Sequence, residues 1–104
     1  MAVKNIDAKQ YEELILGSKP VMVDFWAPWC TYCRRIDPVL DKLADSREDI
    51  LIVKVNIDEE PDLARQERIE VIPTMVLYRG GKAIASIVAP ESKAAIDSFL
   101  AENL

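Results

Sequence analysis

At 104 residues, half of them hydrophobic, the chain has the size and make-up of one globular domain, and a chain of this length buries roughly 60–70% of the surface its unfolded form exposes, enough for a core without covalent staples. The net charge of −5, from 18 acidic and 13 basic side chains spread along the sequence, favours solubility and argues against nucleic acid or an anionic membrane as partner. No apolar run approaches the ~20 residues of a membrane-spanning helix, and Asp7, Glu12 and Glu13 break up the amino-terminal stretch that a secretory signal needs apolar, so the expected location is cytoplasmic.

Residues 2–6 (AVKNI) suit a short first strand. Asp7 stands three before Gln10, the pattern of a capping box, and Tyr11, Leu14 and Ile15 follow at helical spacing up to a stop at Gly17. The nearly continuous apolar run VMVDFW (residues 21–26) is that of a strand covered on both faces. Past the cysteines, Ile36, Val39, Leu40, Leu43 and Ala44 line one face of a helix that Pro38 should interrupt and bend. Residues 50–57 (ILIVKVNI) form the clearest buried strand, and Pro61 fits the first turn of a short helix over 61–67. Residues 74–88 then predict a hairpin turning at Gly80–Gly81, and Ser92 caps a last helix with Ile96, Phe99 and Leu100 on one face. The order β-α-β-α-β-α-β-β-α predicts an α/β fold. Its one mixed sheet should be parallel at first and antiparallel in the closing hairpin, with helices on both faces, all within a single domain over residues 1–104.

Cys30 and Cys33 are the only cysteines, and the chain has no histidine. In an intracellular protein such a pair means metal or redox chemistry more often than stapling, and a bridge between near neighbours closes too short a loop to stabilise much. Zinc needs four ligands, or three and a water, so a site within one chain would have to recruit carboxylates; redox chemistry fits better, and no metal is expected. If a helix begins at the first cysteine, both thiols share one face with Cα atoms about 5 Å apart, inside the ~4.4–6.8 Å that a disulfide spans. The helix N-terminus, with Arg34 and Arg35 close behind, favours a thiolate at Cys30, although the two arginines read equally well as a solvated surface pair. Cys30, at the tip, is the expected nucleophile. Cys33, one turn in and more buried, would attack the mixed disulfide and release product. Asp24 lies mid-strand among Val21, Val23, Phe25 and Trp26. It is either a solvent-facing edge residue or, in a central strand, a buried carboxyl with a raised pKa suited to proton transfer.

The segments VMVDFWAPWC–C, the helix proline in RRIDPVL, then KVNID, VIPT and RGGK occur in the order and approximate spacing of the thioredoxin family. The chain resembles a thioredoxin over essentially its whole length, and CxxC beside a βαβ pattern is itself a thioredoxin-like signature. The resemblance implies a thioredoxin fold with the cysteines at the tip of the second helix, reduction of protein disulfides, and no bound cofactor. It also implies re-reduction by a flavin-dependent reductase, and the protein is expected to be a monomer. It makes Asp24 the base that deprotonates Cys33, with Lys54 as a charged neighbour and Pro38 in support. It makes Pro73 a cis proline against the disulfide, an otherwise uncommon state, with the backbone at Ile72 free to pair with a substrate strand. Trp26 should pack in the core beneath the site, and Trp29 should join an exposed apolar rim that contacts substrates.

Two departures from the family pattern stand out. Thr31–Tyr32 replaces the typical Gly-Pro between the cysteines, and Ala89 and Pro90 stand where a glycine usually borders the substrate groove. A proline before the second cysteine has no N–H; Tyr32 restores one, expected near the Cys30 sulfur, and Thr31 adds a hydroxyl. Both favour the thiolate, which should make the pair more oxidising than a Gly-Pro thioredoxin at about −270 mV. The alternative is that Tyr32 turns outward into the substrate surface. Two rival functions remain at this point: a glutaredoxin-like protein served by glutathione, and a non-catalytic module that binds partners through its groove.

Overall fold

The computed structural model describes residues 3–104, so Ala2, the expected start of the first strand, lies outside the described residues. The elements are β1 (Lys4–Asn5), α1 (Ala8–Ile15), β2 (Val21–Trp26), α2 (Thr31–Ser46), β3 (Leu51–Asn56), α3 (Pro61–Gln66), β4 (Thr74–Arg79), β5 (Lys82–Val88) and α4 (Lys93–Asn103), in the order that periodicity predicts. Among the described residues no helix is long and apolar enough to cross a membrane.

The first helix begins where its capping box says. The Asp7 carboxylate accepts from the Gln10 N–H at 2.8 Å, and the Gln10 side chain accepts in return from the Asp7 N–H at 3.0 Å. The helix stops just before Gly17 as expected, but without a left-handed glycine cap. The C-cap, Leu16, is right-handed, and Gly17 does not take the left-handed backbone of a glycine cap. A Cβ at position 17 would sit tightly, 3.2 Å from the Leu14 carbonyl oxygen, so a larger residue would need that carbonyl to give by a few tenths of an ångström. The second helix runs on through Pro38 as a single element rather than stopping at it.

Strand order is β1-β3-β2-β4-β5, which puts β2 at the centre, parallel to β3 and antiparallel to β4. Because side chains alternate along a strand, β2 feeds two cores. Val21, Val23 and Phe25 pack with Tyr11, Leu63 and Tyr78, beneath α1 and α3. Met22 packs with Ile36, Leu40, Leu43, Ile96 and Leu100, beneath α2 and α4. Helices on both faces explain why the β2 sequence is apolar almost without break. On the α1 side, Tyr11 and Tyr78 meet edge to face at 5.3 Å between centroids, and both hydroxyls donate to the Glu67 carboxylate.

The closing hairpin turns through Gly80 and Gly81, with φ of 61° and 81°, the pair of left-handed residues that a tight two-residue β-turn requires. Farther along, Leu77 pairs with Ala85 but Tyr78 pairs with Ala83, which leaves Ile84 as an extra residue bulged out of β5.

Candidate active site

The central strand delivers the cysteines. After Trp26 the chain turns, the Cys30 N–H donating to the Ala27 carbonyl at 3.1 Å, and Cys30 becomes the N-cap of α2. Cys30 and Cys33 form a disulfide with Cα atoms 5.3 Å apart, the separation the helical spacing predicts. Cys33 is fully buried and Cys30 is half-buried. The Cys30 sulfur accepts a hydrogen bond from the Cys33 N–H at 3.1 Å. This corrects one expectation: the amide that reaches the sulfur belongs to Cys33, the third residue of the helix, and not to Tyr32. Arg34 and Arg35 are exposed on the first turns of α2. Thr31 is also exposed, whereas the Tyr32 hydroxyl donates to the Pro90 carbonyl at 2.8 Å.

Asp24 is fully enclosed, at 0% exposure, on the centre strand. Among the described residues neither of its carboxylate oxygens has a hydrogen-bond partner. Burial is the chief cause that lifts its pKa from 3.8 to about 7; the charge of Asp37 pushes the same way, and Lys54 opposes both. Two positions past Met22, Asp24 faces α2, and Lys54 sits beside it in the β2–β3 register.

Lys54 does not bind Asp24, however. Its ammonium meets Asp37 Oδ1 at 3.1 Å and lies over the Trp26 ring, 4.4 Å from the centroid. Asp37 is therefore a site residue that the sequence analysis missed. Its signal was its place four residues after Cys33, one helical turn along the same face of α2.

The tryptophans divide differently from expectation. Trp26 is half-buried rather than part of the core, because its indole N–H reaches out to Asn5 Oδ1 at 2.7 Å while its ring carries Lys54. Trp29 is exposed, at 67%, and its indole N–H donates to the Asp58 carboxylate at 3.1 Å. Asp58 is held in turn by its own N–H, which donates to Asn56 Oδ1 at 2.9 Å. It too was unforeseen.

The remaining predicted residues gather at the same end of the sheet. Thr74, first in β4, pairs with Phe25 near the end of β2 and with Val88 at the end of β5. Pro73 precedes it, buried, after a cis Ile72–Pro73 peptide. The Pro73 carbonyl accepts from the Ala89 N–H at 2.8 Å. Ala89 has φ of 45°, left-handed backbone that a residue with a Cβ rarely adopts. Val71 and Val88, both exposed, line an open cleft of about 550 Å³ together with Thr74.

Comparison with known proteins gives one answer. Residues 2–102 match the family model described as thioredoxin. The chain is 36% identical over 104 residues to the thioredoxin of Alicyclobacillus acidocaldarius, covering 99% of each chain. It is also 36% identical over 97 residues to the bifunctional thioredoxin reductase/thioredoxin of Mycobacterium leprae, covering 92% of this chain and 21% of that longer protein. Among solved structures, oxidised mitochondrial thioredoxin 3 of Saccharomyces cerevisiae superimposes with a TM-score of 0.86 at 28% identity, covering 96% of this chain and 94% of that one.

Proposed function

The chain belongs to the thioredoxin family, and from that premise we propose how its own residues carry the family's chemistry. It is a thiol–disulfide oxidoreductase that acts on protein disulfides. In the reduced protein the Cys30 thiolate attacks one sulfur of a substrate disulfide, forming a mixed disulfide and expelling a substrate thiolate. Cys33, giving its proton to Asp24, then attacks the Cys30 sulfur. The Cys30–Cys33 bond forms, the mixed disulfide breaks and the second substrate thiolate leaves, so two electrons pass from the dithiol to the substrate. The observation that carries this assignment is the contrast in burial: Cys33 is sealed and Cys30 reaches the surface.

A carboxyl with a pKa of about 7 is half-ionised at neutral pH, which suits Asp24 to take up and return a proton. Lys54 and Asp37 set the charge around it; the Trp26 ring carries the lysine, and Pro38 follows Asp37 in α2 as a supporting residue. Trp29, Thr31, Tyr32, Ile72, Pro73 and Ala89 form the surface that meets an extended substrate, with apolar area supplied by Trp29. The protein acts as a single domain and a monomer in the cytoplasm. A reductase partner recharges it, as the joined name of the mycobacterial relative suggests, and we assign that partner to the flavin-dependent class. Reduction of insulin by dithiothreitol tests the activity, with acceleration expected. No gain over the reagent alone would leave a binding module, and recharging by glutathione rather than a thioredoxin reductase would overturn the donor.

A further inference from the structure

The two departures from the family pattern touch each other. Tyr32, between the cysteines, donates its hydroxyl to the carbonyl of Pro90, in the loop that follows β5. That loop starts with Ala89 in left-handed backbone, which residues with a Cβ seldom adopt. The residue before a proline is pressed further toward extended backbone, so Ala89 departs from two preferences at once. Left alone, it would relax to an extended shape and swing the loop.

Two hydrogen bonds oppose that relaxation. One runs from the Ala89 N–H to the Pro73 carbonyl at 2.8 Å, and the other from the Tyr32 hydroxyl to the Pro90 carbonyl at 2.8 Å. Pro90 is buried and its ring fixes φ, which leaves the loop fewer torsions with which to yield to a pull on its carbonyl. The loop thus spans two anchors. One is the proline before β4, and the other is the active-site turn itself.

We propose that Tyr32 is a positioning residue for substrate specificity, strapping the Ala89–Pro90 loop to the tip of α2 and so fixing the wall of the groove against which an extended polypeptide lies. The inference rests on the assignment of Cys30 as the group that attacks protein disulfides. A protein substrate must lie along this wall, whereas a small disulfide needs only the Cys30 sulfur. Loss of the strap therefore falls unequally on the two.

The test is Tyr32→Phe, which removes the hydroxyl and keeps the ring. The KM for insulin should rise about three- to tenfold, the range that one net hydrogen bond supplies. The rate with 5,5′-dithiobis(2-nitrobenzoate) should fall by a factor at least three times smaller than the loss in kcat/KM on insulin. In the oxidised protein, exchange of the Ala89 amide should quicken by a similar three- to tenfold factor. Adding Ala89→Gly, which tolerates the left-handed backbone without a strap, should recover at least half of the loss on insulin. An unaltered KM and unaltered Ala89 exchange would overturn the proposal. So would equal losses on the small and the protein disulfide, which would place the hydroxyl's effect at the cysteine pair. If the wild-type protein fails to reduce insulin, the functional assignment falls, and the exchange rate at Ala89 alone decides whether the strap exists.

Discussion

Asp24→Asn keeps the shape of the buried side chain and removes its titration. In the folded protein the Asp24 carboxyl ionises at about 7 instead of 3.8. A shift of about three units at ~1.4 kcal/mol per unit corresponds to about 4 kcal/mol between the folded and unfolded states. At pH below 3.8 the carboxyl is protonated in both states and burial of charge costs nothing. As pH rises from there the unfolded chain releases the proton while the folded one holds it, so stability falls by about 1.4 kcal/mol per unit. Above pH 7 the folded form ionises as well and the loss levels off. An amide does not titrate, and any imperfect pairing of the amide enters as a constant. The advantage of the variant over the wild type should therefore grow by about 4 kcal/mol between pH 4 and pH 8, on the scale of a whole domain's marginal stability. Urea unfolding of both oxidised proteins at four pH values measures it. With a slope of about 1–3 kcal/mol per molar urea, the midpoints should separate by on the order of 2 M more at pH 8 than at pH 4. A difference that stays constant or shrinks with rising pH would refute the account of Asp24 as a desolvated, unpaired carboxyl.

Cys33→Ser should trap mixed disulfides with protein substrates and Cys30→Ser should not; iodoacetamide reacting first with Cys33 of the reduced protein at neutral pH would reverse the roles. Asp24→Asn, with both cysteines present, should also slow release of the partner from the mixed disulfide while the first attack stays within a few-fold of the wild type, read by single-turnover kinetics. Asp37→Ala removes a negative charge that raises the Asp24 pKa and frees Lys54 to lower it further, so the pH profile of mixed-disulfide release should move to lower pH. Movement to higher pH would sink that account. The amide on the Cys30 sulfur belongs to Cys33 and survives Thr31→Gly/Tyr32→Pro, so the Thr31 hydroxyl is the group whose loss this variant tests. If it favours the thiolate, the variant should be more reducing than the wild type, for which roughly −200 to −230 mV is expected. Equilibration in glutathione buffers measures both, and a wild-type potential at or below that of the double variant refutes the expectation.

The elements were legible because each left a local mark: the Asp7–Gln10 capping box, the unbroken apolar run of β2, and the paired glycines of the hairpin. The cysteine separation was legible because helix geometry alone determines it. Choices between competing partners were not legible. The Lys54 stem can reach toward either carboxylate, and it meets the half-exposed Asp37, while Asp24 stays enclosed without a hydrogen-bond partner. An N-cap atom can accept from the second or the third helical amide, and here it takes the third, which moved the predicted contact from Tyr32 to Cys33. Trp26 looked like core from its neighbours in β2, but it is the last residue of the strand and its indole finds Asn5 across the sheet end. Neither alanine nor the proline after it favours left-handed backbone at Ala89; it is held there by distant contacts, the Ala89 N–H to Pro73 and the Tyr32 hydroxyl to the neighbouring Pro90 carbonyl.

The two borders of the sheet bear on how the protein behaves in company. A strand with one side unpaired invites other chains to add to it, the first step toward aggregation. Here β1 offers only two residues, and β5 begins with Lys82 and is broken by the bulge at Ile84. Neither border can template a long ladder. A segment of another chain therefore finds no long border to stack on along either flank, while Cys30 and Pro73 lie away from both, at the end of the sheet. Straightening β5 by deleting Ile84 would restore an uninterrupted border, and with it a tendency to pair edge to edge with other chains.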